Sequence, residues 1–118
     1  MEIALWIVTA LLTLSSLGAG IFKLVRPKEK LVEQQPWAGD FSQAQIRAIG
    51  AAEVLGALGL ILPRLTGILP VVTSVAAFAL VALQIGALAT HVRRKETVIP
   101  NVVIIAAGLF VGIGWLVV

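Results

Sequence analysis

Four apolar stretches of roughly 20 residues take up most of this chain, each about as long as an α-helix must be to cross a hydrocarbon core. They leave little else to fold. The first, Ile3 to Phe22, carries no charge and ends at Lys23. The second opens with Ser42-Gln43-Ala44-Gln45, which fits a helix-capping box, and its expected stop is Leu62, because Pro63 lacks the N–H that a helix interior needs. The third is expected over 65–90, with Pro70 in its first turns, and the fourth over 98–118, beginning with Pro100 and Asn101. The β-branched run Val102, Val103, Ile104, Ile105 reads as a strand when taken alone, but its length and the flanking spans decide for helix. The expected fold is therefore all-α: one transmembrane four-helix bundle over 1–118, with spans near 3–24, 42–62, 65–90 and 98–118 and a loop over 25–41.

Composition excludes the alternatives. The chain is 59% hydrophobic and 13% charged, with a mean hydropathy of +1.04. Soluble domains are about 45–50% apolar and about 25% charged, and a small domain cannot hide such an excess inside. A soluble enzyme, a disulfide scaffold and a disordered tail are all ruled out. With no cysteine there is no structural disulfide, thiol catalysis or thiolate metal site, and a single histidine leaves no multi-histidine metal site. A net charge of +3 carried by so few charged residues reads as membrane orientation rather than nucleic-acid binding. Residues 1–20 are expected to remain as a span: a signal peptide would start with basic residues rather than Met1-Glu2, and Gly18-Ala19-Gly20 is the one candidate cleavage site.

The basic residues also set an expected orientation. Lys23, Arg26, Lys28, Lys30 and Arg47 flank the first connection and Arg93, Arg94 and Lys95 the third, while the second has only Arg64. The positive-inside rule places the two basic loops in the cytoplasm and both termini outside. In the first loop Trp37 and Phe41 flank Gly39-Asp40. They read either as interfacial anchors or as part of a segment folded over the bundle mouth.

Polar groups within spans are costly, at about 2.5–3.5 kcal/mol for a central charge, so each needs a location. Thr9, Thr13, Ser16 and Gly20 share one face of the first span, and Ala48, Ala52 and Gly56 form a small-residue row on the second. Both stripes suit close helix packing, and Gly108 and Gly112, a GxxxG pair in the fourth, suit close packing or dimerisation. Glu53 differs, because an acid at its depth must be neutral, paired or hydrated. Gln84, His91, Arg47 and Asn101 are expected in the same half of the bundle, with Arg47 or Gln84 as the expected partner of Glu53. Glu53, Gln84, His91, Arg47, Asn101 and Trp37 are therefore the candidate ligand-binding residues. Glu53 reads either as a structural pair or as the wall of a cavity. No catalytic constellation and no metal set is visible.

Three segments carry a family resemblance. They are Gly18 to Leu24 (GAGIFKL) with Trp37 in the following loop, Gly50 to Pro63 (GAAEVLGALGLILP), and Gln84 to His91 (QIGALATH) followed by basic residues. Together they resemble the DoxX-like family of small four-span membrane proteins over nearly the whole chain. The resemblance implies a compact four-helix bundle. It implies no single function: members resemble a subunit of a thiosulfate:quinone oxidoreductase, others accompany redox partners, and a receptor-assembly chaperone is related. Without cysteines this chain cannot itself carry thiol or persulfide chemistry, so a redox role would draw on a quinone or a partner subunit.

Three functions are expected from these readings, in descending order. The first is an accessory membrane protein that binds a lipidic ligand, a quinone or an isoprenoid, between its helices. The second is a protein-interaction or assembly module, acting as a homo-oligomer or with a partner membrane protein. The third is a proton-coupled carrier using Glu53. No nucleic-acid partner is expected in any of them.

Overall fold

A computed structural model describes residues 1–118, the side chain of Gln34 excepted. It is all-α. Helices α1 (Glu2–Val25), α3 (Gln43–Thr66), α4 (Val71–Arg93) and α5 (Ile99–Val117) are each long and apolar enough to cross a membrane. Between α1 and α3 lie a short helix α2 (Lys28–Gln34) and a 3-10 turn, Pro36–Asp40. The four long helices stand in a ring: α1 packs on α3, α3 on α4, α4 on α5, and α5 returns to α1 along the least extensive of the four seams. The molecule is 42 Å along its longest axis, close to the thickness of a bilayer with its headgroups.

Local chemistry explains the helix ends. Ser42 Oγ accepts from the Gln45 N–H at 3.1 Å while Gln45 Oε1 accepts from the Ser42 N–H at 2.8 Å, closing the capping box that starts α3. The sequence-based end of that span needs correction, since α3 does not stop at Leu62 but continues through Pro63 to Thr66. Proline forfeits one ladder bond, yet its fixed φ is itself helical. One further turn therefore forms and is closed by Gly67, whose φ of 73° and N–H bond to the Pro63 carbonyl make a left-handed cap. The third span is corrected in turn: α4 begins at Val71 rather than near residue 65, with Pro70 at its N-cap, and ends a turn later, at Arg93 rather than Thr90.

Leu5, Leu12, Leu60, Leu80, Val111 and Trp115 form the core of the bundle, and many of its other long apolar side chains turn outward. Ile3, Ile7, Leu11 and Leu14 of α1 are exposed, as a lipid-facing stripe should be, while Thr9, Thr13, Ser16 and Gly20 are buried. Lipid tails are as apolar as leucine, so small and hydroxyl residues that permit close backbone approach do the packing. Gly108 and Gly112 behave in this way within the chain. A Cβ at Gly108 would lie 2.5 Å from Val81 Cγ2, and one at Gly112 would lie 2.6 Å from the Phe78 ring. At the end of the bundle remote from the basic loops, Trp115 Nε1 donates to Thr9 Oγ1 at 3.0 Å, and the Arg64 guanidinium stacks 4.0 Å over the Trp115 ring.

The segment over 25–41 is ordered structure rather than plain loop. Leu31 and Ala38 bury against Ile46 of α3, with Phe22, Val32, Trp37 and Phe41 around them. This small second core holds α2 and the 3-10 turn as a strap across one end of the bundle.

Candidate functional site

The site begins with two glycines. Gly20 on α1 and Gly50 on α3 face each other so closely that a Cβ on Gly20 would sit 2.6 Å from the Gly50 carbonyl oxygen, and one on Gly50 would sit 2.7 Å from that of Gly20. Three residues further along each helix stand Lys23 and Glu53. Side chains lean toward the N-terminus of their own helix. In this antiparallel pair the lean carries Lys23 inward and Glu53 toward it, and the Lys23 stem runs over the space left by the missing Gly50 side chain. Lys23 Nζ donates to Glu53 Oε1 at 2.6 Å, with both residues buried. Charges this far from water persist only when matched and hydrogen-bonded.

The sequence-based partners for Glu53 are thereby corrected. Arg47 is exposed and does not line the site, and Gln84 is engaged elsewhere. Six residues at about 100° each place Arg47 well round the helix from Glu53, so the two cannot share a face. Asn101 Nδ2 instead donates to Gln84 Oε1 at 2.9 Å, bridging α5 and α4. That bond leaves the Gln84 amide nitrogen and the Asn101 carbonyl oxygen without a protein partner among the described residues.

Between the two polar pairs lies a cavity of about 790 Å³. Glu53, Gln84, His91, Asn101 and Trp37 all line it. So five of the six candidates are brought together, and Arg47 is not. Lys23 and Glu96 join them. In the sequence Lys23 reads as the end of a span and a basic flank of the first connection, yet a further signal for it exists: a glycine stands three residues before the charge in both helices. His91 Nδ1 lies 2.9 Å from Glu96 Oε1, and its ring meets Trp37 edge-on with centroids 6.3 Å apart. The Lys23 ammonium is 5.6 Å from the Trp37 ring centroid, so Trp37 closes the cavity above the buried ion pair.

The strap is tied down from outside. Asp40 accepts from Arg94 at 2.9 Å and from Arg93 at 3.4 Å, and Arg94 Nε also lies 3.4 Å from Glu96. The basic residues that follow α4 thus clasp the strap over the cavity. Among these polar groups, Ala19, Ile49, Leu83, Ala87 and Ile104 give an apolar wall. A space of a few hundred cubic ångströms with apolar walls and a few convergent polar groups is the common form of a small-molecule site. Each charged side chain on its wall faces a partner: Lys23 and Glu53 pair with each other, and Glu96 faces Arg94 and the His91 ring.

Fold and site together define a small multi-pass helical membrane protein with a polar-ended cavity at one end of its bundle. The chain belongs to the DoxX-like family, whose model matches residues 7–116. No curated protein and no solved structure gives a significant match to it.

Proposed function

We propose that this DoxX-like protein is a membrane accessory subunit that holds a lipidic ligand, a quinone or an isoprenoid, in the cavity beneath the strap and serves a membrane redox process. One observation supports this most. Glu53, Gln84, His91, Asn101 and Trp37 line a single cavity of about 790 Å³, large enough for a ring-sized head and part of a chain. Polar atoms of Lys23, Gln84 and Asn101 are left to bond such a head, and Ala19, Ile49, Leu83, Ala87 and Ile104 supply apolar wall beside them. The redox chemistry would belong to the ligand or to a partner subunit, since the chain holds no cysteine. In this reading the strap and the basic loops face the cytoplasm and both termini lie outside, as the distribution of lysine and arginine favours.

Lipid extracts of the protein purified in mild detergent, analysed by mass spectrometry, test the proposal. A quinone or isoprenoid should be retained by the unaltered protein and depleted in Gln84→Leu, which removes a free amide without introducing a charge. The proposal fails if neither class of lipid is retained and added quinone leaves Trp37 fluorescence unchanged.

A further inference from the structure

We infer that the cavity takes an uncharged amphiphile, and that its single apolar chain enters and leaves sideways, between α1 and α5, from the bilayer itself. This rests on the reading above that the cavity holds a lipidic ligand. It adds which end of the ligand sits where, which charge class fits, and by which route.

The route follows from helix register. α1 and α5 run antiparallel and meet tightly at the end remote from the strap, where Leu5 occupies the space beside Gly114 and Thr9 bonds Trp115. Continuing that register along both helices sets Ser15 opposite Ile104 and Ala19 opposite Pro100. All four line the cavity. The helices are thus held together at one end and parted by the cavity at the other. Ser15 is also exposed, thirteen residues from the start of α1 and ten from its end. At 1.5 Å per residue it lies about 15 Å below the strap end, within the hydrocarbon region. A residue that both lines the cavity and faces outward at that depth marks an opening to lipid.

The water-facing end and two of the other seams are occupied. Toward water, the strap is clasped by Asp40 to Arg93 and Arg94, with Trp37 beneath it. Between α1 and α3 the Gly20–Gly50 contact and the Lys23–Glu53 pair fill the seam, and between α4 and α5 Gln84 bonds Asn101 above Val81 and Gly108.

Charge matching selects the head. The charged side chains of the wall already face partners, so a phosphate head would bring a charge with no unmatched cation to meet it. A neutral, carbonyl-bearing head can accept from the remaining Lys23 N–H groups and from the Gln84 amide without that penalty.

The chain's lack of cysteine makes the test direct. Ser15→Cys with Ile104→Cys closes the proposed portal when bridged by a reducible bis-maleimide, and Ile49→Cys with Ala87→Cys does the same at the α3–α4 seam. Trp37 quenching, obtained by subtracting the signal of Trp37→Phe, is titrated with a decyl-substituted benzoquinone and with its tailless parent. Bridging 15 to 104 should raise the midpoint for the decyl compound at least tenfold and that for the tailless one less than threefold, and cleaving the bridge should restore both. The inference is overturned if the 15–104 bridge leaves decyl quinone binding unchanged, or if the 49–87 bridge alone blocks it. If neither compound quenches Trp37 in the unaltered protein, this inference is overturned; if in addition neither a quinone nor an isoprenoid co-purifies with it, the proposed function falls as well.

Discussion

Lys23 Nζ and Glu53 Oε1 lie 2.6 Å apart inside the bundle, reaching toward each other from one helical turn on either side of the place where Gly20 and Gly50 bring the backbones of α1 and α3 together. The two features depend on each other. Close approach of the backbones lets a lysine stem cross from one helix to an acid on the other. The ion pair in turn fastens the seam at the level where the cavity begins. Hydrophobic burial gives little drive for helix association in lipid, so a matched pair of this kind can fix which helices are neighbours.

Removing one member of the pair should therefore cost more than removing both. Glu53→Leu leaves Lys23 buried without its partner and should destabilise the protein by about 3–5 kcal/mol. Glu53→Gln keeps an acceptor for Lys23 and should cost about 1–2 kcal/mol. The double variant Glu53→Leu with Lys23→Met removes the stranded charge and should recover most of the loss. Thermal unfolding in one detergent measures the cycle. Additive effects of the two single changes would mean that Lys23 and Glu53 do not act as a pair.

Glycine substitutions should divide by location. At Gly20 or Gly50 an added methyl meets a backbone carbonyl, which cannot rotate away, so alanine should cost about 1–3 kcal/mol and loosen the ion pair. Gly86, in the middle of α4 on the cavity wall, has nothing within 4 Å of where its Cβ would be. Gly86→Ala should stabilise by about 0.5–1 kcal/mol, because it removes unfolded-state freedom at no steric cost. Comparing unfolding temperatures of the three variants checks the order.

Much of this fold is readable in the sequence because the strongest constraint, span length, is local. The capping box at Ser42 and the small-residue face of Thr9, Thr13, Ser16 and Gly20 are likewise set by spacing on one helix. What spacing does not hold is register between helices. Lys23 reads as the polar end of a span whose side chain turns toward water; the inward lean of side chains on α1, with Gly50 opposite, reverses it. Arg47 is close to Glu53 in sequence but not on its helical face. Pro63 reads as a stop because the missing N–H is visible in the sequence, whereas the left-handed cap at Gly67 that closes another turn depends on the following loop. The DoxX-like resemblance located the segments that build the cavity without saying which side chains meet there.

The clasp on the strap should be weak in energy yet visible in access. Asp40 pairs with Arg93 and Arg94 near the surface, where an ion pair contributes about 0–1 kcal/mol and is screened by salt. Asp40→Asn should therefore lower bundle stability by less than about 1 kcal/mol. It should nevertheless raise quenching of Trp37 by aqueous acrylamide, and high salt should do the same to the unaltered protein. Equal quenching in both proteins at low salt would show that the small core of Leu31, Ala38 and Ile46 holds the strap without the clasp.

Orientation is the last expectation and rests on which loops share an end. Ion pairs between Asp40 and Arg93 and Arg94 place the first and third connections together, so Lys23, Arg26, Lys28, Lys30 and Arg47 lie at the same end of the bundle as Arg93, Arg94 and Lys95. Only Arg64 is left for the opposite end. Moving such loops across a membrane is disfavoured by their lysines and arginines, so the strap end should face the cytoplasm. Single cysteines in this cysteine-free chain report the answer without a fusion partner. In intact cells a membrane-impermeant maleimide should label Leu69→Cys, in the turn beside Arg64, and spare Lys95→Cys until the cells are permeabilised. The opposite pattern would invert the protein, put the strap outside, and remove the cytoplasmic assignment of the cavity mouth while leaving its lateral portal to be judged on its own test.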